Sequence, residues 1–169
     1  MSITKRPNIK LPLSKKDKAL IIAATVPIIF IIIYLKMVWS NIPEIIPTHF
    51  GFSGAPDAYG NKTSLFIIIG ICTSLHIIFV LLSKVPKFYN YPVSITEENA
   101  KDLYKVGRQL ILLIDLEVSF MLSILTWQNI QTAMGNRQGV SPIMSVAIIV
   151  ITFATVIYGI INMIKVQSK

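Results

Sequence analysis

Charge is scarce in this sequence, and so is cysteine. Only 14% of the 169 residues are Asp, Glu, Lys or Arg, 53% are hydrophobic, and the mean hydropathy is +0.66. A soluble domain carries about 25% charged residues. The deficit is uneven: long apolar runs alternate with short charged segments, the pattern of membrane spans and loops. The one cysteine, Cys72, excludes an intramolecular disulfide and a cysteine-based metal cluster. Inside an apolar run it reads as a small packed residue. Acidic residues number 8 against 16 basic ones, for a net charge of +8. A nucleic-acid partner would need a basic face on a soluble fold. Here Lys and Arg punctuate apolar runs, so no nucleic acid is expected and the lipid bilayer is the expected partner. No small-x-small cleavage site follows the first apolar run, which reads as a retained helix.

Four spans are expected, at about 19–39, 64–83, 107–127 and 143–164. Pro27 lies within the first and should kink it, with Thr25 near enough to serve freed backbone groups. Residues 1–18 form a basic arm holding Lys5, Arg6, Lys10, Lys15, Lys16 and Lys18, with Pro7 and Pro12 opposing a continuous helix. The arm, residues 84–106 and the C-terminus carry most of the basic residues; the other two loops hold Lys62 and Arg137. The bias predicts N-in/C-in. Thr96, Glu97 and Glu98 resemble a helix start, predicting an interfacial helix before helix 3. The expectation is an all-α membrane protein: a four-transmembrane-helix bundle forming one domain, 19–169, behind a cytoplasmic arm, 1–18.

Residues 40–63, SNIPEIIPTHFGFSGAPDAYGNKT, are dense in turn formers. A connector of this length is uncommon unless it is functional, so a structured outward loop is expected. Its chemistry-bearing groups include Glu44, His49, Asp57 and Lys62. Glycines and a proline separate His49 from Asp57, so the chain can turn and bring imidazole and carboxylate together. The bland alternative is a compact lid, with Asp57 capping a turn and Lys62 meeting lipid head groups. Zinc sites usually need three or four protein ligands. His49, Asp57 and Glu44 lack HExxH spacing, so neither a metal nor a cofactor is expected.

A second constellation lies in the membrane. His76 sits roughly 12 Å from the Lys84 end, and Asp115 and Glu117 roughly 12 and 15 Å from Gly107, at 1.5 Å per residue. Buried ionisable groups mark functional sites by default. Asp115 and Glu117 project about 200° apart, so only one can face His76. The other needs a partner such as Arg108, Lys105 or a group on the first or fourth span. The bland alternative is a polar staple fixing helix packing.

The loop resembles the signature of a bacterial membrane family, the domain of unknown function found in SdpI-like (sporulation-delay immunity) proteins. The matching positions are Pro43, Ile46, Pro47, His49, Gly54, Pro56, Asp57 and Lys62. The family often carries Asn two residues after the His, where this chain has Gly51. The run ITEENAKDLYKVGRQL is similar to the family's entry into its third span, so the resemblance covers roughly residues 20–125. It implies a multi-pass protein of the bacterial cytoplasmic membrane, linked to peptide immunity or small regulatory operons, and no established reaction. The expected function is of immunity or sensor type, with a peptide toxin, another membrane protein or a second copy as partner. Candidate ligand-binding residues are Glu44, His49, Gly54, Asp57 and Lys62. Two alternatives stand beside it: an enzyme acting on lipid or peptide through His49 and Asp57, and a proton- or ion-coupled transport subunit using His76, Asp115 and Glu117.

Overall fold

The structure is a computed structural model that describes residues 6–167; Lys5 and Lys169 lie outside them. Its helices are α1 (Lys15–Val38), α2 (Ser64–Leu82), α3 (Ala100–Ala133) and α4 (Pro142–Gln167). Four helices are long and apolar enough to cross a membrane. At 1.5 Å per residue α2 spans about 28 Å, close to the roughly 30 Å bilayer core. α3 is about 51 Å long by the same rise, so it continues well beyond the apolar segment that marks it in the sequence.

α1 begins with a capping box. The Ser14 hydroxyl accepts from the Asp17 amide at 3.1 Å, and the Asp17 carboxylate accepts from the Ser14 amide at 2.8 Å. The helix passes through Pro27, which leaves the Ala23 carbonyl without its helical donor. Thr25 does not serve that carbonyl: its hydroxyl donates to Ile21 O at 2.7 Å.

Two departures from the sequence expectation concern what flanks the spans. The 40–63 segment contains an antiparallel hairpin, β1 (Ile45–Phe50) and β2 (Pro56–Asn61), within an otherwise helical fold. The interfacial helix expected to start at Thr96 and run into helix 3 is continuous with it but starts later: Asn99 is the N-cap, and residues 100–106 are the first turns of α3 itself. Gly107 does not break α3. A Cβ there would stand 2.6 Å from Tyr91 Oη, so the missing side chain makes room for the tyrosine ring.

α3 is the hub, packing against α1, α2 and α4. At the hairpin end, Ile42 and Ile46 enter a core with Ile31, Leu35, Leu65 and Ile130. Burying each of these hairpin isoleucines contributes roughly 1.5–3 kcal/mol, which makes the loop part of the body. At the other end Ile95, Ala100, Leu103, Tyr104 and Met163 form a second core, joined by Ile9 and Leu11 of the arm. α4 turns a long apolar face outward through residues such as Val146, Phe153 and Ile157.

The described part of the arm is docked. Arg6 Nη1 donates to the Lys87 and Tyr89 carbonyls at 2.8 and 2.7 Å, and the Tyr104 hydroxyl donates to Pro7 O at 3.0 Å. Prolines keep this stretch non-helical, which leaves its carbonyls available to donors from the bundle.

Candidate functional site

The hairpin is fixed at both ends. At its base, Lys62 Nζ lies 2.9 Å from Glu44 Oε1, donates to Ile42 O at 3.2 Å and sits 4.8 Å from the Trp39 ring centroid. At its tip, Gly54 has φ +82° and its carbonyl accepts from the Val140 amide at 3.0 Å. A Cβ on Gly54 would lie 2.1 Å from Val140 O. Only glycine permits both the left-handed backbone and this approach. Lys62 and Gly54, two of the five loop candidates, thus hold the hairpin in place, and Glu44 is the partner of Lys62.

His49 and Asp57 meet on the open surface. Pairing shifts register between Pro47 and His49 and again between His49 and Phe50. Such bulges re-aim side chains, and here His49 Nδ1 lies 2.5 Å from Asp57 Oδ1. The side chains are 70% and 50% exposed. Gly51 leaves room for this carboxylate, since a Cβ there would stand 3.2 Å from Asp57 Oδ2. An exposed pair of this kind adds about 0–1 kcal/mol to stability. Nδ1 is engaged by Asp57, so Nε2 is the ring nitrogen left for a ligand.

Within the bundle, Asp115 is the carboxylate that faces His76. His76 Nδ1 lies 2.9 and 3.0 Å from the two Asp115 oxygens, and Nε2 lies 3.0 Å from Thr25 Oγ1. Ser119 donates to Asp115 Oδ1 at 3.3 Å. Glu117 points to the fourth helix, where Thr155 donates to its Oε1 at 2.5 Å; its Oε2 is buried without a partner. Arg108 does not join this group. It is buried, donating to Ser83 O, Pro12 O and Leu11 O at 2.8, 2.9 and 2.6 Å, and it lies 3.5 Å from Asp17. It ties the arm, α1 and α2 to α3.

Protons can be counted in the His76 group. Thr25 has one hydroxyl proton and gives it to Ile21 O. Its oxygen therefore accepts from Nε2–H. A lone pair on Nδ1 facing a carboxylate would be repulsive, so a proton lies between Nδ1 and Asp115. Sequence reasoning named Thr25 only as a backbone partner and placed Glu117's partner on the first or fourth span without naming Thr155, since uncharged hydroxyls in apolar helices carry little signal. Depth was the available clue: Thr25 lies about 15 Å into α1 from Lys15.

Outside the spans, burial pushes the Tyr89 phenol up to about 12, with Arg108 opposing. Burial raises Tyr91 further, assisted by Tyr89 and Tyr104 and opposed by Arg6 and Arg108. Tyr89 donates to Leu82 O at 2.7 Å and Tyr91 to Pro86 O at 2.9 Å. Among the described residues no group of three or more His, Cys, Asp or Glu is placed to hold a metal ion.

Four apolar helices capped by a docked hairpin define a multi-pass integral membrane protein. Residues 26–73, from α1 through the hairpin into α2, match the family model described as Domain of unknown function (DUF1648). The chain is 35% identical over 91 residues to an uncharacterized protein of Archaeoglobus fulgidus, covering 48% of this chain and 49% of that protein. It thus spans about half the length of that relative. No solved structure matches it.

Proposed function

We propose that this chain is a binding protein of immunity or sensor type that takes a peptide or another envelope ligand on its hairpin. We further propose that it lies N-in/C-in in a bacterial cytoplasmic membrane with the hairpin outward, as the lysine and arginine bias favours. The supporting observation is the His49–Asp57 pair, exposed on a hairpin held at base and tip. The pair does little for stability, while the fixed platform lowers the ordering cost of binding. Resemblance to the SdpI-like family points the same way.

The test uses the hairpin tip, where Phe52 is fully exposed. A photoreactive benzoylphenylalanine in place of Phe52 should give, in cells, a crosslinked adduct that weakens in His49→Ala and Asp57→Ala backgrounds. An adduct indifferent to both substitutions counts against the reading. A bound metal or a lipid trapped beside His49 would favour the enzyme alternative instead, in which His49 acts as general base oriented by Asp57.

A second reading has its own observation. The His76–Asp115–Thr25 group is a hydrogen-bonded set of ionisable and hydroxyl side chains inside the spans, which favours a proton-coupled transport subunit. Proton flux in proteoliposomes that survives Asp115→Asn and His76→Gln removes it.

A further inference from the structure

At the end of the bundle away from the hairpin, a polar cavity of about 350 Å³ opens to the surface. Its walls are Arg6 of the arm, Tyr91 to Ile95 of the α2–α3 connection, and Gln167 at the end of α4. No Asp or Glu lines it. Its size is at the lower end of small-ligand sites, about 300–1,000 Å³.

Arg6 is anchored there but not neutralised. Its Nη1 is spent on the carbonyls of Lys87 and Tyr89, and its guanidinium carbon lies 6.0 Å from the centroid of the Tyr91 ring. Among the described residues no carboxylate forms an ion pair with it. Nε is sealed inside the protein and serves no ligand. Nη2 differs: it has no partner among the described residues and is not sealed. A guanidinium already held by carbonyls loses little freedom when it takes a ligand.

Other donors on the same walls are unused. Ser94 spends its carbonyl on Asn99 Nδ2 at 3.0 Å. Its hydroxyl and the Gln167 carboxamide carry no hydrogen bond among the described residues, and neither do the peptide N–H groups of Val93 and Ser94. Ser94 and Gln167 are exposed, so a ligand can reach them. A cation with neutral donors from three segments selects an anion with oxygens in several directions. A carboxylate is planar and has two oxygens. A phosphate has more, and it binds arginine through charge-assisted hydrogen bonds.

We propose that this cavity binds a phosphate group, with Arg6 Nη2 as its cationic anchor and Ser94 and Gln167 as neutral donors. The inference stands apart from the hairpin reading. In the N-in/C-in orientation the cavity is cytoplasmic, where α4 leaves its apolar run. The phosphate then belongs to an anionic lipid headgroup or to a soluble compound.

The test uses the full chain with ¹⁵N-labelled arginine, first in dodecyl maltoside micelles. The Arg6 Nε resonance is identified by its loss in Arg6→Lys. Inorganic phosphate should shift it saturably, and acetate at equal ionic strength should not. Ser94→Glu puts a carboxylate on the cavity wall without touching the arm's hydrogen bonds. It should weaken phosphate binding about tenfold or more, with the arm still resistant to trypsin at Lys10. Gln167→Glu, on another element, should do the same. An equal shift with acetate, or unchanged affinity in both variants, overturns the proposal. Nanodiscs separate the two sources. A resonance displaced in phosphatidylglycerol discs relative to phosphatidylcholine discs, and unmoved by added phosphate, assigns the site to a lipid headgroup. A resonance alike in both discs that inorganic phosphate shifts assigns it to a soluble compound. A resonance alike in both discs and unmoved by phosphate sinks the proposal.

Discussion

The carbonyl of Gly54, at the tip of the hairpin, accepts a hydrogen bond from the amide of Val140 in the α3–α4 connection, 3.0 Å away. The contact is reciprocal in shape: a Cβ on Gly139 would stand 2.1 Å from Gly54 O. Two glycines from distant parts of the chain thus let two backbones touch. Gly54→Ala should break this junction, adding about 1–2 kcal/mol for the left-handed backbone to a clash with Val140 O. Hydrogen exchange at residues 51–56 should speed up while α2 stays protected. Unchanged exchange there would mean that the junction does not hold the tip.

Arg108 invites a second prediction, because each end of its guanidinium has different work. Nε serves α2 through Ser83, and the two terminal nitrogens serve the arm. Arg108→Leu leaves Asp17, 4% exposed, without its cation. Breaking a buried pair on one side costs about 3–5 kcal/mol. Arg108→Lys should fail too, since one ammonium cannot span the fork. Both variants should release the arm, seen as faster tryptic cleavage after Lys10. An arm equally resistant in all three proteins would show that Arg6 and Tyr104 suffice to hold it.

The four helices were legible because a bilayer demands long apolar runs, and α2 and α4 supply them without a charged residue until Lys165. The ends of α3 were not. Hydropathy marks where lipid lies, whereas helical hydrogen bonding continues through polar residues such as Lys101 and Gln131. The hairpin was legible only as a dense set of turn formers. Its strands contain Pro47, Pro56 and Gly60, poor strand residues, and their pairing is supported from outside by buried Ile42 and Ile46 and by the Gly54 junction. The matching depths of His76 and Asp115 could be read from spacing. The choice between Asp115 and Glu117 depended on helix rotation, which no residue count supplies.

Tyrosine ionisation gives a third prediction, with a defined sign. The Tyr89 phenol is held up to about 12 in the folded protein, against about 10 in an unfolded chain. Between those values the folded state keeps a proton that the unfolded state has lost. Stability from this group is therefore complete below about pH 10 and declines as pH rises toward 12. Tyr91 acts in the same direction. An ultraviolet tyrosinate titration should show a late-ionising fraction, reduced by Tyr89→Phe. That variant should also lessen the loss of thermal stability across this pH window. Identical titration curves for the two proteins would refute the assignment.

His76 and Asp115 allow the staple and the proton site to be separated. His76→Leu leaves Asp115, fully buried, with Ser119 as its remaining side-chain donor. Asp115→Leu leaves His76 held by Thr25 alone. Each single change should be costly, by about 3–5 kcal/mol. The double variant with two leucines removes both polar groups and should be milder than either, which requires a coupling larger than either single cost, above about 3 kcal/mol. Unfolding in mixed micelles of increasing dodecyl sulfate content, followed by tryptophan fluorescence, measures the cycle; additive effects would mean that the two side chains do not act as a pair. The double variant then answers the functional question as well. A pair that only joins α2 to α3 is replaceable by two leucines with all behaviour retained. A pair that carries a proton through its contact with Thr25 is not, so restored stability with lost proton flux would identify the group as a working site.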